Sequence, residues 1–179
     1  MQIAQYVLSN TDVAEVWLSP CYSHPYDKNM VDPKHRLKMC ELVTAGESKI
    51  KVFDYEIKYQ PYCTYDFLKY LPLQWKMDKY EFSYIIGLDN ANSFDRWVES
   101  EKLKDMARFI TVSRQGIKSN KKIDWYRKPP HIYLDAKDAV INISSTQVRK
   151  WIEEGDFPKA FDNLHHAVFR YAVIKRNLY

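Results

Sequence analysis

Glycine is scarce in this chain. Only Gly46, Gly87, Gly116 and Gly155 occur among 179 residues, against about 7% in an average protein. No two lie close enough to build a G-x-G-x-x-G dinucleotide loop or a G-x-x-x-x-G-K phosphate loop. Any nucleotide phosphate must be held some other way. Cysteine is also sparse: Cys21, Cys40 and Cys63 are odd in number, scattered and without a C-x-x-C pair, which argues against a disulfide framework and for reduced thiols in a cytoplasmic setting. No run approaches 18 apolar residues, and Met1 to Asn10 has no basic region followed by an apolar one. The sequence therefore predicts neither a membrane span nor an export signal.

What remains is globular in composition, with 46% hydrophobic and 28% charged residues and a formal net charge of +4. The charge favours anionic partners only mildly. The length suits one domain spanning 1–179. Segments of β type alternate with helical ones, the pattern of an α/β fold in which a parallel sheet is sandwiched by helices. Val13 to Leu18 reads as a strand ending at Ser19-Pro20. Asp32 and Pro33 open a helix with an apolar stripe through Leu37, Cys40 and Val43 and Gly46 past its end. Ile50 to Ile57 reads as a β-rich run, Thr64 opens a helix through Leu71, and Phe82 to Ile86 and Phe109 to Val112 read as strands. Lys118 to Pro130 reads as a polar, basic loop. Short strands are expected at Ile132 to Leu134 and Val140 to Ile143, and residues 155–179 read as a C-terminal helical part.

The most informative segment runs Ile141-Asn142-Ile143-Ser144-Ser145-Thr146-Gln147-Val148-Arg149. Ser144 with Gln147 three residues later makes a capping box, so a helix starts here and runs to about Glu154. Its first turn offers free backbone N–H groups, the hydroxyls of Ser145 and Thr146, and Arg149 on the same face as Ser145. Such a terminus can hold a phosphate. An ordinary capped helix with an exposed arginine is the plainer reading of the same residues.

The run Ile-Ser-Ser-Thr-x-x-Arg resembles the I-S-S-T-x-x-R motif of the nicotinate/nicotinamide mononucleotide adenylyltransferases, in the HIGH-type nucleotidyltransferase superfamily. Other segments resemble that family in order along the chain. They are Val16-Trp17-Leu18-Ser19-Pro20 followed by Lys28, His35-Arg36-Leu37-Lys38-Met39, Glu56-Ile57 with Thr64-Tyr65-Asp66-Phe67-Leu68, Ile85-Ile86-Gly87-Leu88-Asp89, Phe94-Asp95-Arg96-Trp97, and Ala107-Arg108-Phe109 with Ser113-Arg114-Gln115-Gly116. The family's opening strand and its G-G-x-F-D-P-x-H-x-G-H segment have no counterpart. Met1 to Leu8 resembles the helix that follows that segment. The resemblance thus implies that the first strand is missing and that Met1 is an internal methionine. It also accounts for part of the glycine deficit, because the absent motif carries three glycines.

The resemblance implies a Rossmann-like nucleotidyltransferase that moves AMP from ATP to a pyridine mononucleotide with Mg2+, releases pyrophosphate and forms no covalent intermediate. That chemistry needs positioning and charge neutralisation more than a nucleophilic side chain. Arg149 and Lys28 are the implied catalytic cations. Gly87, Asp89, Ser144, Ser145, Thr146 and Arg149 are implied for ATP, and Thr64, Phe94, Trp97 and Arg114 for the mononucleotide, with Phe94 or Trp97 stacking on the pyridine ring. No resident metal site is expected: C-x2-H-x10-H-x4-C over Cys21, His24, His35 and Cys40 has zinc-type ligands, but Cys40 belongs to the apolar stripe of its helix. Want of the histidine pair implies impaired turnover, so a nucleotide-binding relative without activity is the second reading. A single-strand nucleic-acid binder, suggested by the basic and aromatic residues from Lys118 to Lys128, is the third. The sequence leaves open nicotinate against nicotinamide mononucleotide, and monomer against homo-oligomer.

Overall fold

The computed structural model describes residues 1–23, 30–74, 79–136, 138–140, 143–175 and 178. These fall into two compact units. One comprises Met1, Asp12–Gln60 and Asn142–Tyr179; the other comprises Gln2–Thr11 and Pro61–Ile141. Every described strand pairing is parallel.

In the first unit β1 (Val16–Leu18) pairs with β2 (Ile50–Val52), with Leu18 opposite Val52. Between them runs α2 (Pro33–Thr44), started as its sequence demands: Asp32 accepts a hydrogen bond from the Lys34 amide at 2.7 Å and Pro33 occupies the first turn. Gly46, at φ +91°, turns the chain out of the helix. The β-rich run expected over Ile50 to Ile57 is shorter than predicted. It stops at Val52, and Tyr55–Tyr59 form the helix α3 instead. Tertiary packing overrides β-propensity there: Tyr55 is buried and its ring meets Phe53 at 5.5 Å and Tyr59, one helical turn on, at 4.6 Å. After α7 (Ser145–Glu153) come α8 (Phe157–Asn163), α9 (His166–Phe169) and a π-helical turn (Arg170–Lys175), so the expected helical C-terminal part is present. Val148, Ile152, Ala160 and Phe169 form its core.

The second unit is built on β3 (Ser83–Gly87), β4 (Arg108–Val112) and β5 (Ile132–Leu134), in that spatial order. Before them in the chain come α1 (Gln2–Asn10) and α4 (Thr64–Gln74); α5 (Leu88–Ala91) and α6 (Ser100–Met106) connect β3 to β4. Strand β4 is central, and Phe109, Ile110, Thr111 and Val112 are all completely buried, as a strand covered on both faces must be. The strand expected over Val140 to Ile143 includes Ile141 and Asn142, which lie outside the described residues. Among the described residues no helix is long and apolar enough to cross a membrane.

Candidate functional site

Parallel strands bring their carboxyl ends to one edge, and open α/β sheets bind ligands there. The register aligns Gly87 with Val112 and Val112 with Leu134. The residues that follow therefore share that edge: Leu88-Asp89, Ser113-Arg114 and Asp135-Ala136. Arg114 Nη2 lies 3.0 Å from Asp89 Oδ1, with the two side chains 24% and 46% exposed. The carboxylate folds back over Gly87, where an added Cβ would come within 2.4 Å of Asp89 Oδ1 and 3.8 Å of Arg114 Nη2. A glycine assigned to ATP would give the nucleotide close approach to the backbone. In the structure the space above it is filled by the Asp89 side chain, held by Arg114. Arg114 Nε is buried and meets no acceptor among the described residues.

Ser113, at the end of β4, is 2% exposed. Its hydroxyl donates to Asp135 Oδ1 at 2.8 Å and accepts from the Ala136 amide at 2.8 Å. The Ser113 amide in turn donates to Leu134 O at 2.9 Å, and Tyr6 of α1 donates to the Asp135 carbonyl at 3.0 Å. Sequence reasoning missed this constellation. Ser113 and Asp135 stand 22 residues apart, and only the parallel register brings them together.

The aromatic assignments divide. Phe94 is 1% exposed, with Trp97, Phe109 and Trp125 at centroid distances of 5.0, 5.1 and 4.3 Å. It is a core residue, which corrects the expectation that it stacks on a pyridine ring, because its surface is already taken up by protein. Trp97 is half-buried, so it is not closed off as Phe94 is. The basic loop expected from Lys118 to Pro130 is present, but its aromatic residues are engaged. Trp125–Arg127 form a 3-10 turn, Tyr126 is completely buried, and Trp125 packs on Phe109 at 5.6 Å. Arg127 lies 3.8 Å over Tyr133. Rings engaged in this way do not form a stacking platform for bases. Thr64 is the first residue of α4 and half-buried.

In the other unit the edge after β1 and β2 carries Ser19, which donates to Glu56 Oε1 of α3 at 2.9 Å. Burial raises the Glu56 carboxyl above its ordinary value, opposed by the Ser19 hydrogen bond and by the charge of Arg36. Arg36 of α2 has a structural role and ties the segment after β1 to the helix. It donates to Val31 O at 2.8 Å and Tyr22 O at 2.7 Å, and also to Cys21 O. His35 Nδ1 meets the Tyr171 hydroxyl at 2.6 Å. Lys28 lies outside the described residues, as does His24.

Helix α7 begins as its capping box requires, with the Gln147 amide donating to Ser144 Oγ at 3.1 Å. The Ser144 oxygen is thus committed to the cap, while Ser145 and Thr146 are exposed and Arg149 is half-buried on the same helix. Gly155 ends the segment at φ +76°. Val148 and Ile152 turn the opposite face into the core. The result is a capped helix terminus with exposed serine and threonine residues in its first turn, suited to an anion. No group of three or more His, Cys, Asp or Glu is placed to hold a metal ion among the described residues.

Comparison with known proteins gives a consistent result. The family described as Cytidylyltransferase-like matches residues 1–151. A protein of Aliarcobacter butzleri named "Probable nicotinate-nucleotide adenylyltransferase" is 30% identical over 160 residues, covering 88% of this chain and 81% of that one. One of the same name from Bacteroides fragilis is 29% identical over 173 residues, covering 95% and 82%. The solved structure of Plasmodium falciparum nicotinic acid mononucleotide adenylyltransferase complexed with NaAD superposes with a TM-score of 0.78 at 25% identity, over 98% of this chain and 87% of that one. The same enzyme complexed with APC gives a TM-score of 0.77 at 25% identity, over 99% and 88%.

Proposed function

The chain belongs to the cytidylyltransferase-like family, among the nicotinate-nucleotide adenylyltransferases, and we propose that it transfers AMP from ATP to nicotinate mononucleotide in NAD biosynthesis. The phosphate oxygen of the mononucleotide attacks the α-phosphorus of ATP; the bond to the bridging oxygen breaks, and pyrophosphate leaves. The observation that carries this reading is the relationship over 81% of a curated adenylyltransferase. The carboxyl edge at Gly87, Asp89 and Arg114 supports it.

Each unit supplies residues for a role. In one, the amides at the start of α7 with Ser145, Thr146 and Arg149 take phosphate groups of ATP, and Ser144 sets their direction by capping the helix. Lys28 adds a positive charge for phosphate. In the other, Asp89 accepts hydrogen bonds from nucleotide hydroxyls, Arg114 takes an anionic group of the mononucleotide, Trp97 offers a ring face, and Thr64 lies at the start of α4. That residues 1–179 act as one nucleotidyltransferase domain is part of this proposal. Mg2+ fits as a companion of the triphosphate rather than a resident ion, since Mg2+ characteristically binds through substrate phosphates and one or two carboxylates. When bound it neutralises phosphate charge.

The 179 residues contain no H-x-G-H run, the family's donor set at the transferring phosphate. The test is pyrophosphate release with ATP and nicotinate or nicotinamide mononucleotide. Release that depends on nicotinate mononucleotide supports the proposal; release that ignores any mononucleotide removes it.

A further inference from the structure

We infer that Ser113 and Asp135 are positioning residues that fix Arg114 for the mononucleotide, an inference that rests on the function proposed above. A long arginine side chain is held in one direction only when both its root and its tip are restrained. The tip is restrained by Asp89 Oδ1 at 3.0 Å. At the root, the residue before Arg114 is locked between the ends of β4 and β5. The Ser113 amide donates to Leu134 O, and its hydroxyl donates to Asp135 Oδ1 while accepting from the Ala136 amide, all within 2.8 to 2.9 Å. Only a group that both donates and accepts can close this ring, which is what a hydroxyl offers and an apolar side chain does not. A hydroxyl this buried would be unfavourable without such partners. Tyr6 extends the restraint to α1 through the Asp135 carbonyl. The Arg114 Nε–H, buried and without an acceptor among the described residues, is left as a donor for an anionic oxygen of the substrate.

The experiment reads Arg114 directly and then through binding. The Nε–H resonance of Arg114 is followed by NMR in the free protein and in S113A, D135A and D135N, and nicotinate mononucleotide is titrated by calorimetry into each. S113A and D135A should shift or broaden the resonance and weaken binding by about tenfold, the scale of one hydrogen bond. D135N keeps an oxygen acceptor for the Ser113 hydroxyl and should stay within about twofold of wild type. In an R114A background S113A should cost nothing further, because residues acting through a shared partner are not additive. An unchanged Arg114 resonance in S113A, or an equal loss from S113A with and without Arg114, overturns the inference. Should S113A fail to fold, the contrast between D135A and D135N decides the same question. Absence of mononucleotide binding in the wild type would instead remove the proposed function, while the resonance still reports whether Ser113 and Asp135 hold Arg114.

Discussion

Replacing Gly87 by alanine separates folding from function at the sheet edge. Gly87 has φ −75° and ψ 155°, a conformation open to any residue, so the substitution brings no backbone strain. What it brings is a Cβ 2.4 Å from Asp89 Oδ1, where ordinary contact begins near 3.4 Å. The carboxylate must retreat by roughly 1 Å or rotate away, and the 3.0 Å pair with Arg114 breaks. Asp89 is nearly half exposed, so the lost pair costs stability at most about 1 kcal/mol. A displaced substrate ligand is another matter, since a hydrogen bond from a charged group carries about 1.5 to 3 kcal/mol. G87A should therefore melt within a few degrees of wild type while kcat/KM for adenylyl transfer falls about 10- to 100-fold. Thermal unfolding by circular dichroism and pyrophosphate release measure the two quantities. Wild-type kinetics in G87A would refute the placing of substrate at Asp89.

Three further outcomes follow from individual side chains. F94A opens a cavity among Trp97, Phe109 and Trp125 and should cost about 3 to 5 kcal/mol in chemical denaturation, whereas W97A should cost less stability and raise KM for the mononucleotide; the reverse pattern would contradict the division between core and site. R149A should raise KM for ATP about 10- to 100-fold, read from kinetics, while S144A should lose about 1 kcal/mol of stability by uncapping α7, read from thermal melts. Glu56 has a folded-state carboxyl raised by burial, so its contribution to stability is fully present in acid below its ordinary value of 4.5 and is lost as pH rises through the raised one. E56Q keeps an acceptor for Ser19 and should melt above wild type at neutral pH, with the gain fading below about pH 4.5; a gain that grew in acid would have the wrong sign.

Local chemistry was legible where a boundary has its own signal. Asp32-Pro33 and Gly46 bracket α2, Ser144 and Gln147 start α7, and Gly87 closes β3, all as the sequence indicates. The parallel pairings and the placing of Gly87, Asp89 and Arg114 on one edge agree with the α/β reading. What sequence could not show depends on partners distant along the chain. Tyr55 to Ile57 looked extended because their β-propensity is visible and the aromatic packing that makes them helical is not. Phe94 and Tyr126 looked available to ligands because spacing says nothing about burial. Ser113 with Asp135, and Arg36 with the carbonyls of Cys21, Tyr22 and Val31, form only once strands and turns are in place.

The central claim is tested most directly by following the α-phosphate. Incubation of the protein with ATP labelled at that phosphorus, Mg2+ and nicotinate mononucleotide should move label into a dinucleotide, in equal amount to the pyrophosphate released and with none on the protein. Label that never leaves ATP at any protein concentration, or that becomes bound to the protein itself, would contradict the account.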